Sequence, residues 1–338
     1  MLTLAVETSC DDSAAALLEG TRPLAERVSS QTVHAGLGGV VPELASRMHL
    51  EVLPGLVAGL LAEAGASLRD IDTFAATAGP GLVGSLLVGL SWAKAAAFAT
   101  GGRFLGINHI ASHLFIHYGD EARGPVRFPA AALVASGGHT SLFVLESWSD
   151  CRFAGGTRDD AAGEAFDKTA KLMGLGYPGG ALLDRLAAEG MASRASLPSP
   201  LDDPDLPEFS FSGLKTAVRT LLSDGTKPED VAACFCRTVS SILSSKLVAL
   251  AAASGARTVM AAGGVSANSF LRAGLAEECS RRRLDLRLPE TRWTTDNAVM
   301  VGRAAAAALE ADPSACSPFS CNAFARWTGT RLGPLACA

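Results

Sequence analysis

Twice along this chain an apolar strand ends in a polar turn and returns as a second strand, and each time a later strand runs through a glycine-rich end into a helix. Residues 2–6 and 14–18 read as short strands on either side of Glu7-Thr8-Ser9-Cys10-Asp11-Asp12-Ser13. Residues 130–135 and 141–145 stand likewise around Ser136-Gly137-Gly138-His139-Thr140. The strand at 72–77 passes through Gly79-Pro80-Gly81 into a helix over about 83–99, and the strand at 258–262 passes through Gly263-Gly264-Val265-Ser266-Ala267-Asn268 into another. No repeat is visible residue by residue. The recurrence still predicts two related α/β domains facing each other across a cleft, with ligand groups on the turns.

Length agrees, because single cores rarely keep growing beyond ~250–300 residues and this chain has 338. Tyr118 to Pro125 breaks every periodicity. We therefore expect an N-terminal domain over 1–126, a second over 127–302, and a segment 303–338 that packs back on the first. Further helices are expected over 43–64, 108–118, 161–174, 213–222, 229–253 and 296–310. Ser196 to Phe211 reads as a surface loop, and Gly176 to Gly180 as a tight turn. Hydrophobic residues make up 48% and charged residues 19%, which excludes a disordered chain. The net charge of -5 excludes general nucleic-acid coating, so contact with nucleic acid must be local. The opening Leu-Thr-Leu-Ala-Val-Glu has no signal pattern, so the expected location is the cytoplasm. The run from Gly81 to Ala99 is interrupted by Gly, Ser, Trp92 and Lys94 and reads as a buried core helix, with no membrane involved. The eight cysteines are scattered and read as buried thiols without a disulfide framework; Cys234 and Cys236 alone are a weak metal signal.

Several residues can carry chemistry. His109 and His113 are four apart on a helix, which puts both imidazoles on one face and suits two ligands to one metal. The alternative is a half-buried helix with incidental histidines. His117 lies about 12 Å of helix rise from His109, too far for the same ligand shell. A zinc-protease helix needs a Glu after the first His, and Ile110 stands there. The turns at Ser136-Gly137-Gly138 and Gly263-Gly264 can bring bare backbone N–H groups to phosphate or acyl oxygens, or can be ordinary turns. Asn268 can reach a nucleotide or cap the next helix. Asp159, Asp160, Glu164 and Asp167, with Lys168 and Lys171, form an acidic face that solvation alone would explain. Asp296 can be an N-cap or a metal ligand from the second domain. Arg281-Arg282-Arg283 ends a helix, where basic residues suit the macrodipole.

Taken together the chain resembles the universal tRNA threonylcarbamoyladenosine transferase family, once called glycoproteases. The resemblance covers nearly the whole chain. It rests on Glu7-Thr8-Ser9-Cys10-Asp11, Gly38 to Arg47, Thr77 to Gly84, the His109/His113 pair and Ser136 to Thr140. It continues through Asp159 to Lys171, Phe209-Ser210-Phe211-Ser212-Gly213-Leu214-Lys215-Thr216, Gly263 to Asn268 and Thr295-Asp296-Asn297. Departures are Asp12, Asn108 and Thr294, where the family usually has Glu, commonly His, and Cys.

The resemblance implies a two-domain fold like that of actin, sugar kinases and Hsp70, with a nucleotide cleft between the domains. It implies an acyltransferase that moves the threonylcarbamoyl group from threonylcarbamoyl-AMP to N6 of adenosine 37, in tRNAs reading ANN codons. His109, His113 and Asp296 match the metal ligands, with Fe(2+) the usual metal and Zn(2+) the alternative. Val134, Ala135, Ser136, Gly137, Gly138, Asp167, Gly180, Asp184 and Asn268 match positions that hold the adenylate. No general base is identified. The implied partners are tRNA, a paralogous partner protein and a small ATPase, of the bacterial TsaB and TsaE type. The competing readings are an ATP-dependent phosphotransferase of the same fold, which would not need the His pair, and a non-catalytic scaffold paralogue, which would lack it.

Overall fold

The computed structural model describes residues 1–37 and 39–336. Gly38, in the block Gly38 to Arg47, and residues 337–338 of the 303–338 segment lie outside the described residues. The chain divides into two units, Met1–Pro125 with Asp296–Ala338, and Val126–Thr295.

The first unit opens with β1 (Leu2–Glu7), β2 (Asp12–Glu19) and β3 (Arg22–Ser30), an antiparallel meander. A short helix α1 (His34–Leu37) leads to α2 (Pro42–Ala64), then β4 (Thr73–Gly79), α3 (Val83–Thr100), β5 (Arg103–Asn108) and α4 (His109–Phe115). The sheet order is β3-β2-β1-β4-β5. β4 lies parallel to β1, with Ala5 opposite Ala75, and β5 lies parallel to β4. Three parallel strands therefore end on one edge, at Glu7, Gly79 and Asn108. Leu4, Val6, Phe74 and Phe104 from the strands meet Leu53 of α2 and Leu90 of α3 in one core.

The second unit repeats this plan with a different sequence. Its strands are β6 (Ala130–Ala135), β7 (Thr140–Ser147), β8 (Asp150–Gly156), β9 (Thr258–Ala262) and β10 (Asp285–Arg287). β8, β7 and β6 form an antiparallel meander, and β9 and β10 continue in parallel. The order from β8 to β10 is thus the order from β3 to β5. The helices are α5 (Ala162–Leu172), α6 (Gly179–Ala187), α7 (Ser212–Ser223), α8 (Pro228–Ala253) and α9 (Ser269–Arg282). Phe166, Phe209, Phe211 and Phe235 fill the core against Leu133 and Leu142 of the sheet. The last helix, α10 (Ala298–Ala311), packs on β1, β2 and α4 and belongs to the first unit. The first unit resumes at Asp296, ahead of the boundary at 303 read from the sequence.

The crowd of small residues on α3 has a physical cause. A Cβ on Gly81 would lie 2.7 Å from the Ser9 carbonyl oxygen, and one on Gly89 would lie 2.6 Å from Thr8 Oγ1. The polar turn after β1 is seated directly on the helix, and Thr8 Oγ1 donates to the Ser85 carbonyl at 2.9 Å while accepting from Gly89 N. The expectation that this helix is buried throughout needs correction. Its inner face is closed, yet Leu87 and Phe98 are exposed. Length and composition make α2, α3 and α8 apolar enough to cross a membrane; α2 packs on β2 and β3, α3 on β4 and α8 on β6. Two further differences concern short elements. Pro178-Gly179-Gly180 starts α6 rather than closing a turn, and residue 108 ends a strand before the helix begins at His109. Cys10, Cys151, Cys234, Cys236, Cys279 and Cys316 are free thiols, but Cys321 is disulfide-bonded, against the reading of thiols throughout.

Candidate functional site

β5 delivers Asn108 to the edge of the first sheet, and its side chain starts the next helix. Asn108 Oδ1 accepts from Ile110 N at 3.0 Å and Ala111 N at 3.2 Å, satisfying two amides that a helix leaves open at its start. The helix therefore begins at His109, and His113 follows one turn on, with the ring centroids 4.8 Å apart. Asp296 comes from the segment before α10. Its Oδ1 lies 3.7 Å from His109 Nε2 and 3.4 Å from His113 Nε2. One ligand atom from each of the three residues falls within 4.8 Å of the others. His117 is not part of this trio.

Asp296 is not the N-cap of α10. Asn297 caps it, accepting from Met300 N at 2.9 Å, which leaves the Asp296 carboxylate to face the imidazoles. Nor does Asp296 belong to the second domain, since it clusters with the first unit.

Both histidines are buried, and His113 Nε2 makes no hydrogen bond. An enclosed polar nitrogen left without a partner costs about 1–3 kcal/mol, which coordination to a cation would relieve. Burial opposes a charge on His109, but the carboxylates of Asp296 and Glu7 outweigh it and lift its pKa to about 9. Negative potential is concentrated here. Burial also pushes Asp12 up to about 7, against a hydrogen bond from Ser30 and with help from Asp296, Asp11 and Glu7. Two imidazoles and a carboxylate, in a pocket of negative charge with one nitrogen unsatisfied, fit a divalent transition metal.

The remaining candidate residues all lie in the second unit. β6 and β9 are parallel neighbours, with Val134 opposite Ala262, so both glycine-rich turns leave the same edge of one sheet. Both turns belong to one unit. Open α/β sheets bind ligands at the carboxyl ends of their strands. Gly263 is held to φ +88°, and a Cβ there would collide with the Ala135 carbonyl oxygen. Gly137, Gly138 and Gly180 are different, since a Cβ on any of them would meet no atom within 4 Å. Val134, Ala135 and Ser136 are buried at the strand end.

Asp167, Asp184 and Asn268 work on the frame around these turns. Asp167 Oδ1 accepts from Gly179 N at 2.7 Å and fixes the start of α6. Asp184 accepts from Asn268 Nδ2 at 2.9 Å and from Ser269 Oγ at 2.8 Å. Asn268 Oδ1 caps α9 through Leu271 N. Of the acidic face, Lys168 reaches Asp160 at 2.8 Å and Glu164 at 2.9 Å. Asp159 instead accepts from Phe211 N, Ser210 Oγ and Ser212 Oγ, and so anchors the Phe209–Ser212 stretch and the start of α7.

The sequence reading assigned no role to Glu7, Ser9 or Thr77. Ser9 Oγ and Glu7 Oε2 lie 3.2 and 3.3 Å from His109 Nδ1, and Thr77 Oγ1 donates to Glu7 Oε2. The available signal was a carboxylate ending a buried, mostly apolar strand.

The same five-strand order in both units, with polar turns at the carboxyl ends of the parallel strands, is the fold of the actin, sugar-kinase and Hsp70 group. Solved structures agree. HypF of T. kodakarensis superposes with a TM-score of 0.64 over 92% of this chain and 48% of that one, at 13% identity. Component A of the (R)-2-hydroxyglutaryl-CoA dehydratase of Acidaminococcus fermentans gives 0.55 over 90% of this chain and 96% of that one, at 16% identity. Sequence narrows the class further. The profile of the TsaD family, tRNA N6-adenosine threonylcarbamoyltransferase, matches residues 22–303. Proteins of that name from Pelobacter propionicus and Gluconobacter oxydans are each 46% identical to this chain. The first covers 98% of this chain and 99% of its own length, the second 91% and 88%. The chain belongs to the tRNA N6-adenosine threonylcarbamoyltransferase family.

Proposed function

We propose that this protein transfers the threonylcarbamoyl group from threonylcarbamoyl-AMP to N6 of adenosine 37 in tRNAs that read ANN codons. The observation that carries the reading is the convergence of His109, His113 and Asp296 within 4.8 Å in a member of this family. A phosphotransferase of the same fold would have no use for that trio, and a scaffold paralogue would lack it.

The residues divide the work. His109, His113 and Asp296 would hold one divalent cation, Fe(2+) with Zn(2+) as the alternative, which supplies Lewis-acid polarisation when bound. The amides of Ser136–Gly138 and Gly263–Gly264 meet the anionic adenylate at the open strand ends. Asp167, Gly180, Asp184 and Asn268 complete the adenylate site, and Asp167, Asp184 and Asn268 also hold the starts of α6 and α9. In the reaction the adenosine N6 attacks the carbamoyl carbon, the bond from that carbon to the AMP phosphate oxygen breaks, and N6 loses a proton. Carbamoyl adenylate is already a good electrophile and an adenine amine a poor nucleophile, so orientation and stabilisation of departing AMP are the main demands. No side chain is assigned as general base. We further propose that the protein acts with a paralogous partner and a small ATPase, and that it resides in the cytoplasm.

Nucleoside mass spectrometry tests the reading. Purified protein with its partners, threonylcarbamoyl-AMP and unmodified tRNA should yield threonylcarbamoyladenosine, and depletion in cells should remove it. Depletion that leaves the modified nucleoside at its normal level would reject the proposal.

A further inference from the structure

We propose that Glu7 is the positioning residue of the metal centre: its carboxylate accepts a hydrogen bond from Nδ1–H of His109 and so presents Nε2 of that ring to the metal. The inference rests on the proposed metal site and adds a residue from β1, far from the His pair in sequence. His109 Nε2 faces Asp296 at 3.7 Å, so Nε2 is the nitrogen that must carry a free lone pair. Nδ1 then has to be the N–H, and an imidazole N–H buried at this depth needs an acceptor. Two oxygens are within reach, Ser9 Oγ at 3.2 Å and Glu7 Oε2 at 3.3 Å. A hydroxyl can donate or accept and leaves the ring free to take either tautomer. The Glu7 oxygens already accept from Ser9 N and Thr77 Oγ1, so this carboxylate acts as an acceptor toward the ring as well.

Glu7 is itself locked in place. It is wholly buried. Its Oε1 accepts from Ser9 N at 2.5 Å, and its Oε2 accepts from Thr77 Oγ1 at 2.5 Å as well as facing His109. Each of these three groups is a donor or can serve as one. A glutamine in the same place fits by shape and fails by chemistry. With its NH2 toward Ser9 N, two buried donors oppose each other. With its NH2 toward His109, it favours the tautomer that accepts at Nδ1, which puts the proton on Nε2, where the metal should bind. A carboxylate behind a ligating histidine is a common outer partner, and loss of such a partner typically weakens metal binding by about 10–100-fold.

The test uses the full chain loaded with zinc. In the parent, 15N NMR of the ring should show His109 with Nε2 on the metal and a protonated Nδ1. Glu7→Gln should weaken zinc binding by about 10–100-fold in a chelator competition titration. In a His109→Ala background the same substitution should cost almost nothing further. Thr77→Val, which removes one tether from Glu7, should give a smaller loss and covers the case in which Glu7→Gln does not fold. Metallation of His109 through Nδ1, zinc affinity of Glu7→Gln within twofold of the parent, or an equal loss in the His109→Ala background would each overturn the role of Glu7. A parent that binds no zinc or iron removes the metal centre and this inference with it, and that failure is visible before any variant is made.

Discussion

Replacing either imidazole of the trio removes one of its three ligand atoms. His109→Ala or His113→Ala should therefore lower metal affinity by more than the 10–100-fold that outer partners are typically worth, and transfer activity should fall with it. The fold should survive, because Asn108 still starts the helix. Metal analysis of the purified variants checks this, and full metal content with full activity in both would remove the pair from the site. Asp12 offers a second test, through pH. Its carboxyl titrates near 7 in the folded chain against 3.8 ordinarily, chiefly because it is buried. The folded state therefore holds the proton more tightly than the unfolded state. Stability attached to this proton is full below the ordinary value and is lost as pH rises from about 4 to 7. Asp12→Asn, which cannot ionise, should stabilise the metal-free protein at pH 8 by about 2 kcal/mol after allowance for partial exposure. The gain should shrink toward pH 5. Thermal melts at the two pH values check it, and a gain that is flat with pH would show that Asp12 ionises freely.

At the scale of elements, the two kinds of glycine at the strand ends should respond differently to a side chain. Gly137 has open space where its Cβ would be, so Gly137→Val should leave the melting temperature within a few degrees and lower adenylate affinity at least tenfold, as about 1.4 kcal/mol of lost contact would do. Gly263→Val should do the reverse first, because φ +88° and the Ala135 carbonyl penalise any side chain there. Calorimetry and a melt on each variant separate the cases. Adenylate affinity within twofold of the parent in Gly137→Val would take that turn out of the site. The ends of β4, β6 and β9 were legible in the sequence because those apolar runs stop at glycine clusters, and the β9 boundaries, Thr258–Ala262, match the reading. β3 was not legible. It is an edge strand whose Arg22, Leu24 and Val28 are exposed, so its pattern carries no buried face. α6 was hidden because Pro178-Gly179-Gly180 has the composition of a turn, whereas in the fold Pro178 is the N-cap and Gly179 N is held by Asp167. The same limit applies to the site. Spacing of four placed His109 beside His113, but Glu7 lies 102 residues from His109, a distance no local pattern spans.

For the whole molecule the open question is how a chain with net charge -5 receives a polyanion. Steering by overall charge is excluded, so tRNA must be held by a local basic surface. The arginines that end α9, with Arg292, are the candidate surface, and the structure defines their competing duties. Arg281 pairs with Glu278 and lies 4.0 Å from Glu277, and Arg282 reaches Glu278 at 3.5 Å. Arg283 adopts φ +56°, and its backbone N–H caps the helix at Ser280 and Cys279. Those ion pairs are exposed, and exposed pairs contribute about 0–1 kcal/mol. The cap is made by backbone, which alanine also supplies. The triple variant Arg281→Ala, Arg282→Ala, Arg283→Ala should therefore melt within a few degrees of the parent. If these side chains meet phosphates, each lost contact should reduce the salt slope of tRNA binding by about 0.7–0.9. The expected result is weaker tRNA binding with a slope lower by about 2, while adenylate affinity is unchanged. Titrations at three salt concentrations beside a melt decide it. A clear fall in melting temperature with tRNA affinity and slope preserved would assign the three arginines to the helix end and place the tRNA surface elsewhere on the chain or on a partner.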